Sequence, residues 1–314
     1  MYAIEANALK KEFRKRDEHI WALKGVDLKV EKGRIYGLLG PNGAGKTTMI
    51  YILSTLLLPT SGSAKVLGYD VVKDDDKVRE RIGMCIGGTS FYHSMTPVEL
   101  LQLYGRLYGL NSQKRKERIK KLIDDLEITE FKNKNFITLS TGMKQKVAIA
   151  KSLINEPEVL FLDEPTAGID VEVSKNIRAY IANLVKEKEM TVILTSHHLK
   201  DVEELCKEIS IIDEGKIIAE GNINKIRKKV KFPDIIHLYL SNYRGLEFLR
   251  KLKGVEGYEV TDDGLFIRVY PGIDVVSNII NQIKKRKMKI LDIEVEKASL
   301  EDIFMKIVGD QCVR

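Results

Sequence analysis

Short, uniformly apolar runs alternate with longer amphipathic stretches along the first two thirds of the chain. Four such runs occupy residues 34–40, 159–163, 191–196 and 209–213. Strands that are buried on both faces of a parallel sheet show this pattern. Because helical patterns lie between the runs, the sequence predicts an α/β fold in which helices pack on a mostly parallel sheet. The stretch "IIDEGKIIAEG" predicts a hairpin that turns at Glu214 and Gly215.

One region interrupts this alternation, because residues 96–156 have an almost entirely helical pattern. Its start is marked by Thr96, Pro97 and Glu99, in the stretch "TPVE". Thr96 can cap the helix, Pro97 fits the first turn, and Glu99 completes a capping box. We therefore predict a helical subdomain, over about residues 89–157, inserted into the α/β body.

The composition changes after Gly221. Residues 223–234 are rich in lysine and reach a proline, which predicts a basic linker. Residues 235–314 then show the order β-α-β-β-α-β, with helices predicted at "GLEFLRKLKG" and "VVSNIINQIKKRK". This order is that of a small α+β, ferredoxin-like domain. We predict two domains, 1–222 and 235–314, and find no catalytic constellation in the second.

A glycine-rich stretch follows the first predicted strand and opens a predicted helix. It consists of Gly40, Pro41, Asn42, Gly43, Ala44, Gly45, Lys46, Thr47 and Thr48. It matches G-x-x-x-x-G-K-[ST], in which glycines let backbone N–H groups converge on phosphate oxygens at the positive end of a helix. We expect Lys46 to reach the β- and γ-phosphates of a nucleotide and the Thr47 hydroxyl to bind Mg²⁺.

Two adjacent carboxylates, Asp163 and Glu164, end the apolar run "VLFLD". Buried carboxylates are costly unless a positive group compensates them, and a magnesium-bound nucleotide would do so. Asp163 is then expected to hold the hydration shell of the metal, and Glu164 to act as the general base on the attacking water. The alternative is that both acids are simply exposed where a strand ends.

Two histidines, His197 and His198, follow another apolar run in "ILTSHHL". A histidine at the end of a strand can donate a hydrogen bond to the γ-phosphate and position the water. We favour His197 for this role because it comes directly after the strand.

The stretch "LSTGMKQKVAIAKSL", residues 139–153, resembles the L-S-G-G-Q signature of the ATP-binding-cassette (ABC) ATPases. The resemblance implies that Ser140, with the backbone N–H groups of Thr141 and Gly142, faces the γ-phosphate of ATP held by a second subunit. Two chains would then form a head-to-tail dimer around two ATP. Asp170, in "AGID", matches the loop that crosses this interface. The family has glycine and glutamine where this chain has Thr141 and Met143, and "STGMKQ" is similar to variants in export subfamilies.

The same resemblance assigns an aromatic ring to the adenine. Phe13, in "LKKEF", matches the stacking aromatic of the family, and stacking of this kind is insensitive to base identity. Trp21 is the competing candidate, and its other explanation is packing in the core. We favour Phe13.

The stretch "IGGTSFYH" lies where the family has a loop with a glutamine that touches Mg²⁺ and the attacking water. That position falls at Gly88, which has no side chain. Either the loop is a damaged catalytic element and hydrolysis is slow, or it remains a hinge on which Phe91 and Tyr92 face a partner. We favour the hinge, because the other catalytic positions are present.

Charge and cysteine content add little. The 52 Lys and Arg against 45 Asp and Glu give a formal charge of +7, which suits nucleic acid, an anionic membrane or a lysine-coated surface. Cys85, Cys206 and Cys312 have no metal-like spacing and fit a reduced cytosolic protein. The longest apolar run, residues 49–58, is about half the length of a membrane span, so we do not expect the chain to cross a membrane alone.

The resemblance as a whole implies an ATP-hydrolysing motor subunit of an ABC transporter. Expected cofactors are ATP and Mg²⁺, and expected partners are a separate membrane permease and a second, identical subunit, with no specific nucleic acid. The location would be cytoplasmic, at the inner face of the membrane. The C-terminal "KASLEDIFMKIVG" resembles subunits of the daunorubicin-resistance and sodium-export types, which favours export.

Two alternatives remain open. A soluble ABC ATPase acting on ribosomes or DNA is supported only by the positive charge and the basic linker, and the sequence has neither a second phosphate loop nor heptads. A regulatory subunit that binds ATP without hydrolysing it is supported only by Gly88.

Overall fold

The computed structural model describes residues 1–15, 18–86, 94–196, 199–230, 232–270 and 274–312. These residues form two compact units, Met1–Glu220 and Gly221–Arg314. Among the helices of the described residues, none combines the length and the hydrophobicity that a membrane span requires.

The first unit contains the following elements in chain order. Its strands are β1 (Tyr2–Lys15), β2 (Glu18–Glu31), β3 (Ile35–Leu39), β4 (Ser61–Val66), β5 (Tyr69–Asp70), β6 (Ile82–Cys85), β7 (Val159–Asp163), β8 (Thr191–Thr195), β9 (Glu208–Asp213) and β10 (Lys216–Asn222). Its helices are α1 (Lys46–Leu53), α2 (Asp75–Arg81), α3 (Pro97–Leu107), α4 (Ser112–Asp125), α5 (Thr141–Ser152), α6 (Val171–Lys188) and α7 (Leu199–Leu205). A 3₁₀ turn covers Phe136–Thr138.

A six-stranded sheet with the order β10-β9-β3-β8-β7-β6 forms the centre of this unit. The strands β9, β3, β8, β7 and β6 are parallel neighbours. The predicted α/β fold is therefore confirmed, because the four apolar runs form β3, β7, β8 and β9. Parallel strands end at the same edge of the sheet, and ligands of such sheets bind outside that edge. This carboxyl edge carries the glycine-rich stretch and both predicted catalytic carboxylates.

A second, antiparallel sheet has the order β2-β1-β4-β5. Its buried side chains share one hydrophobic core with α1 and with the central sheet. Leu9 and Leu23 from the antiparallel sheet, Met49 and Ile52 from α1, and Phe161 from β7 belong to this core and are fully buried. Burial of this kind stabilises the fold by roughly 1.5–3 kcal/mol for each large apolar side chain. The start of α1 is thus fixed by packing on both sheets.

The predicted helical segment begins as expected. Thr96 precedes α3, its hydroxyl accepts a hydrogen bond from the Glu99 N–H at 3.3 Å, and the Glu99 carboxylate accepts one from the Thr96 N–H at 2.8 Å. This pair is the predicted capping box. The predicted hairpin is also present, since β9 and β10 are joined at Glu214 and Gly215, which both have positive φ.

The second unit contains α8 (Ile223–Val230), β11 (Asp234–Leu240), β12 (Val255–Thr261), β13 (Gly264–Val269), α9 (Val275–Lys285), β14 (Ile290–Glu296) and α10 (Leu300–Cys312). Its antiparallel sheet has the order β12-β13-β11-β14. One sheet face and α9 enclose a core that includes Ile236, Leu238, Leu265 and Ile279.

The secondary structure of this region differs from two sequence predictions. The segment expected as a basic linker, residues 223–234, is helical over α8, because Ile223 and Ile226 lie three positions apart and are both buried. The helix expected at "GLEFLRKLKG" is a 3₁₀ turn over Glu247–Lys251. Leucines at 246, 249 and 252 recur every three residues, and a 3₁₀ helix, with three residues per turn, places them on one face.

Candidate functional site

The glycine-rich stretch connects β3 to α1 at the carboxyl edge of the central sheet. Two of its glycines have no room for a side chain. A Cβ atom on Gly40 would lie 2.2 Å from the carbonyl oxygen of Ile212. Gly45 precedes α1 with a φ of 110°, and a Cβ there would lie 2.5 Å from the carbonyl oxygen of Ala22. The loop is therefore shaped by close backbone contacts with β9 and β2.

Lys46 is buried at the first position of α1, with 8% of its surface exposed. Its ammonium donates hydrogen bonds to the carbonyl oxygens of Gly40 at 2.7 Å and Pro41 at 2.9 Å. Desolvation lowers the pKa of Lys46, and the charges of Glu164 and Asp163 oppose this effect. The ammonium thus sits inside the curve of its own loop, near two carboxylates.

Asp163, the last residue of β7, is buried and accepts hydrogen bonds from two hydroxyls. Thr47 donates to Oδ2 at 3.2 Å, and Thr195, the last residue of β8, donates to Oδ1. The register of the sheet places Asp163 opposite Thr195. The carboxylate is therefore oriented from both sides and faces the first turn of α1. A hydroxyl and a carboxylate side by side are the hard oxygen donors that suit Mg²⁺.

Glu164 follows with a backbone conformation that is uncommon for a residue other than glycine, with a φ of 54°. Its N–H donates to the carbonyl oxygen of Thr195 at 3.0 Å, and its own carbonyl accepts from the Ala167 N–H at 3.3 Å. The chain turns sharply here, away from the line of β7. The turn leaves the side chain of Glu164 at the cavity that the glycine-rich loop borders.

This cavity has a volume of about 220 Å³. It is lined by Asn42, Gly43, Gly45, Lys46, Thr47, Thr48, Asp163 and Glu164. The structure thus brings together six predicted phosphate-loop residues and both predicted carboxylates. A larger cavity of about 1030 Å³ lies at the opposite edge of the sheet, where β3, β7 and β8 begin. At that edge Arg34 is paired with Glu208 at 3.1 Å.

The predicted signature residues lie elsewhere, and none of them lines the smaller cavity. Ser140 precedes α5, and its hydroxyl accepts a hydrogen bond from the Met143 N–H at 3.3 Å. Ser140 and Thr141 are exposed, while Gly142 is buried against Val173. The start of α5 therefore presents an exposed, capped helix end to the surface of the unit.

Asp170 is also exposed, and it has a local role that the sequence did not suggest. Its carboxylate accepts a hydrogen bond from the Val173 N–H at 2.9 Å and caps α6. Capping and a role at an interface are compatible, because the second carboxylate oxygen is not used in this bond.

Phe13 and Trp21 lie on the hairpin of β1 and β2, with 41% and 40% of their surfaces exposed. In the ladder Trp21 lies opposite Glu12, and Phe13 lies opposite Ile20. Because consecutive residues of a strand point to opposite faces, Phe13 and Trp21 are on different faces of the hairpin. Only one of them can stack on a given base. The Lys11 ammonium lies 5.2 Å from the centre of the Phe13 ring.

Five residues singled out in the sequence are outside the described ranges: Gly88, Phe91, Tyr92, His197 and His198. Two further features were missed. Thr195 could have been noticed as a polar residue at the end of an apolar run. The buried contact of Asp201 with Thr166 and Arg178 carries no sequence signal, because these residues are 35 and 23 positions apart.

Both units of the chain resemble known proteins. A family model described as "ABC transporter" matches residues 23–167, and one described as "ATP-binding protein DrrA1-3-like, C-terminal domain" matches residues 221–308. The ABC transporter ATP-binding protein NatA of Bacillus subtilis is 38% identical over 230 residues, covering 73% of this chain and 93% of NatA. The linearmycin resistance ATP-binding protein LnrL of the same organism is 33% identical over 310 residues, 98% of both chains.

Solved structures give the same result for the first unit. A dimeric ATP-binding cassette in a post-hydrolysis state, bound to ADP and phosphate, is similar with a TM-score of 0.66 and 26% identity, covering 70% of this chain and 98% of that one. The family models, the relatives and this solved structure all agree on one family. The chain therefore belongs to the ATP-binding proteins of ABC transporters, and it is an ATPase subunit of that family.

Proposed function

We propose that this chain hydrolyses Mg-ATP at the cavity lined by Lys46, Thr47, Asp163 and Glu164, and that it drives export through a separate membrane permease. The observation that carries the proposal is the meeting of an ammonium, a hydroxyl and two carboxylates at one phosphate loop. Outside nucleotide chemistry, two acids beside a buried lysine at this edge have no evident use.

The residues present fit a magnesium ion. Thr47 and Asp163 offer adjacent hard oxygen atoms, and a few carboxylates plus substrate phosphates are the usual ligands of Mg²⁺. Within the described ranges there is no cluster of three or more His, Cys, Asp or Glu side chains that would suit a different metal. When bound, Mg²⁺ would neutralise charge on the β- and γ-phosphates.

Each side chain then has one task. The loop amides and the start of α1 bind the phosphates, and Lys46 compensates the charge that develops on the transferred group. Glu164 accepts the proton of the attacking water, which its turn away from β7 allows. His197 is proposed to orient that water, as its position after β8 in the sequence suggests. Phe13 stacks on the adenine.

We infer that two copies of the chain act together. Ser140 and Thr141, with the buried Gly142 behind them, form a helix start that lies outside the cavity, which suits a half-site completed by another chain. Asp170 would lie at the same interface. The dimeric cassette with ADP and phosphate supports this arrangement by likeness.

The names of the relatives support export and a membrane partner. Among them are resistance proteins for daunorubicin and linearmycin, and a bacitracin transport protein. By that likeness we propose a separate permease as partner and a cytoplasmic location at the inner face of the membrane. The family identity disfavours a nucleic-acid function. The positive charge is the only argument for that function.

The test is ATP hydrolysis by the full-length chain. Glu164→Gln keeps the shape of the side chain but not its basicity, so kcat should fall at least about 100-fold with little change in ATP affinity. Glu158→Gln is the matched control, because Glu158 directly precedes β7 at its other end, and it should keep wild-type kcat. Turnover that persists in Glu164→Gln would contradict the proposed mechanism. Absence of turnover in the wild type would instead favour the regulatory alternative.

A further inference from the structure

Asp201 is the third residue of α7. It is buried and contacts two other parts of the chain. The Thr166 hydroxyl donates to Oδ2 of Asp201 at 2.5 Å, and the Arg178 guanidinium donates to Oδ1 at 2.6 Å. Asp201 and Thr166 are 7% and 5% exposed. Arg178 also lies 2.8 Å from the Glu204 carboxylate, on the same helix as Asp201. Both oxygens of one buried carboxylate are thus used.

Thr166, Arg178 and Asp201 lie in three different segments that matter to the proposed reaction. Thr166 lies in the turn that begins at Glu164 and that closes with the bond from the Ala167 N–H. Arg178 is in α6, which begins after Asp170. Asp201 is in α7, which starts two residues after His197 in the sequence. One carboxylate therefore joins the turn of the general base to two helices.

The backbone conformation of Glu164 explains why this contact matters. A φ of 54° at a residue other than glycine is unfavourable, and such conformations persist only where the surroundings fix them. On the sheet side the turn is fixed by the bond from the Glu164 N–H to Thr195. On the far side, the Thr166 hydroxyl donates a hydrogen bond to Asp201. Loss of that contact would free one end of the turn while leaving the phosphate loop untouched.

We infer that Asp201, through Thr166, is a positioning residue for ATP hydrolysis: it holds the Glu164 turn in the conformation that aims the carboxylate at the cavity. The inference rests on the proposed role of Glu164 as general base. It assigns no contact with nucleotide to Asp201, Thr166 or Arg178. Arg178 balances the charge of Asp201, because an unpaired carboxylate at this burial would be strongly destabilising.

The test uses the full-length chain with the variant Thr166→Val. This change removes the hydroxyl, keeps the shape, and leaves the pair of Arg178 and Asp201 in place. We expect kcat for ATP hydrolysis to fall about tenfold, since small misplacements of a catalytic group have effects of this size or larger. Affinity for ATP should stay the same, because the phosphate loop is unchanged. Thr166→Ser, which restores the hydroxyl, should recover the wild-type kcat.

The matched control is Thr191→Val. Thr191 is also buried, and its hydroxyl accepts a hydrogen bond from the Gly33 N–H at 3.0 Å, but it lies at the opposite edge of the sheet. It should lose comparable stability and keep its kcat. If Thr166→Val does not fold, Thr166→Cys is compared with Thr166→Ser, because a thiol is a much weaker donor of similar size. The same fall in kcat is expected.

Glu164→Gln is measured alongside and separates two failures. If Glu164→Gln abolishes turnover while a folded Thr166→Val keeps the wild-type kcat, the inference is wrong and the proposed function stands. If Thr166→Val and Thr191→Val lower kcat equally, the effect is general destabilisation and the inference is again wrong. If Glu164→Gln keeps full turnover, the proposed function is wrong. The inference is then also wrong, because it rests on that function.

Discussion

Two helix starts in the first unit are suited to anions, and they are built in opposite ways. The start of α1 is enclosed: Lys46 is buried, and Gly40 and Gly45 lie against neighbouring backbone. The start of α5 is exposed, and the Ser140 hydroxyl caps it by accepting a hydrogen bond from the Met143 N–H. At the first helix start, Lys46, Thr47, Asp163 and Glu164 all line one cavity within a single chain. In the proposed dimer, the second would be half of a site that another chain completes with its bound ATP.

The strongest test of this difference mixes two inactive variants. Lys46→Ala damages the enclosed site and Ser140→Arg blocks the exposed one, so each alone should lower ATP hydrolysis roughly 100-fold or more. In a head-to-tail dimer, a mixed pair contains one site with both intact halves. In an equal mixture, half of the dimers are mixed, and each mixed dimer has one intact site out of two. Activity should therefore recover to at most about a quarter of wild type.

A circular dichroism melt of each single variant checks folding before mixing, because Ser140→Arg also removes the cap of α5. No recovery from well-folded variants that exchange subunits would contradict the shared site. Recovery would show that the half-sites come from different chains.

A smaller effect separates the two aromatic candidates. Phe13→Ala should weaken ATP binding about 5- to 150-fold, because a stacked ring contributes about 1–3 kcal/mol. Trp21→Ala serves as the matched control, since Trp21 is equally exposed but on the other face of the hairpin. Equilibrium binding of a fluorescent ATP analogue measures both. The opposite ranking would assign the adenine to Trp21.

The smallest expected effect concerns Asp170, which combines a cap with a proposed place at the interface. Asp170→Ala should lower the free energy of unfolding by about 1 kcal/mol, and Asp170→Asn should leave it unchanged because Asn caps equally well. Urea unfolding of the monomer measures the cap. If Asp170→Asn is fully stable yet hydrolyses ATP more slowly, the carboxylate also acts across the interface; equal activity would leave only the cap.

The sequence predicted those features that depend on neighbouring residues. The phosphate loop and the capping box of Thr96 and Glu99 are each specified within a few positions, since the required geometry is local. The strands β3, β7, β8 and β9 were predicted because burial on both faces leaves continuous apolar runs.

Features that depend on distant residues could not be predicted in this way. Thr195 meets Asp163 only because β7 and β8 are adjacent in the sheet, and Asp201 meets Thr166 only because of tertiary packing. Local composition also misled: the lysines of residues 223–234 concealed the buried face of α8. Positive φ at Glu164 has no signature, because the residue is chosen for its carboxylate and not for its backbone preference.

The positive φ at Glu164 means that the residue suited to the proposed chemistry is not the one that gives the most stable fold. Glycine, and to a lesser degree asparagine, would adopt the backbone of position 164 with less strain, by about 1 kcal/mol. Neither can take a proton from water. If selection acted only on folding, Glu164 would therefore be expected to be replaced early. Selection for transport would retain it. In the proposed mechanism, Glu164 distinguishes a chain that hydrolyses ATP from one that only binds it, and a single codon specifies that residue.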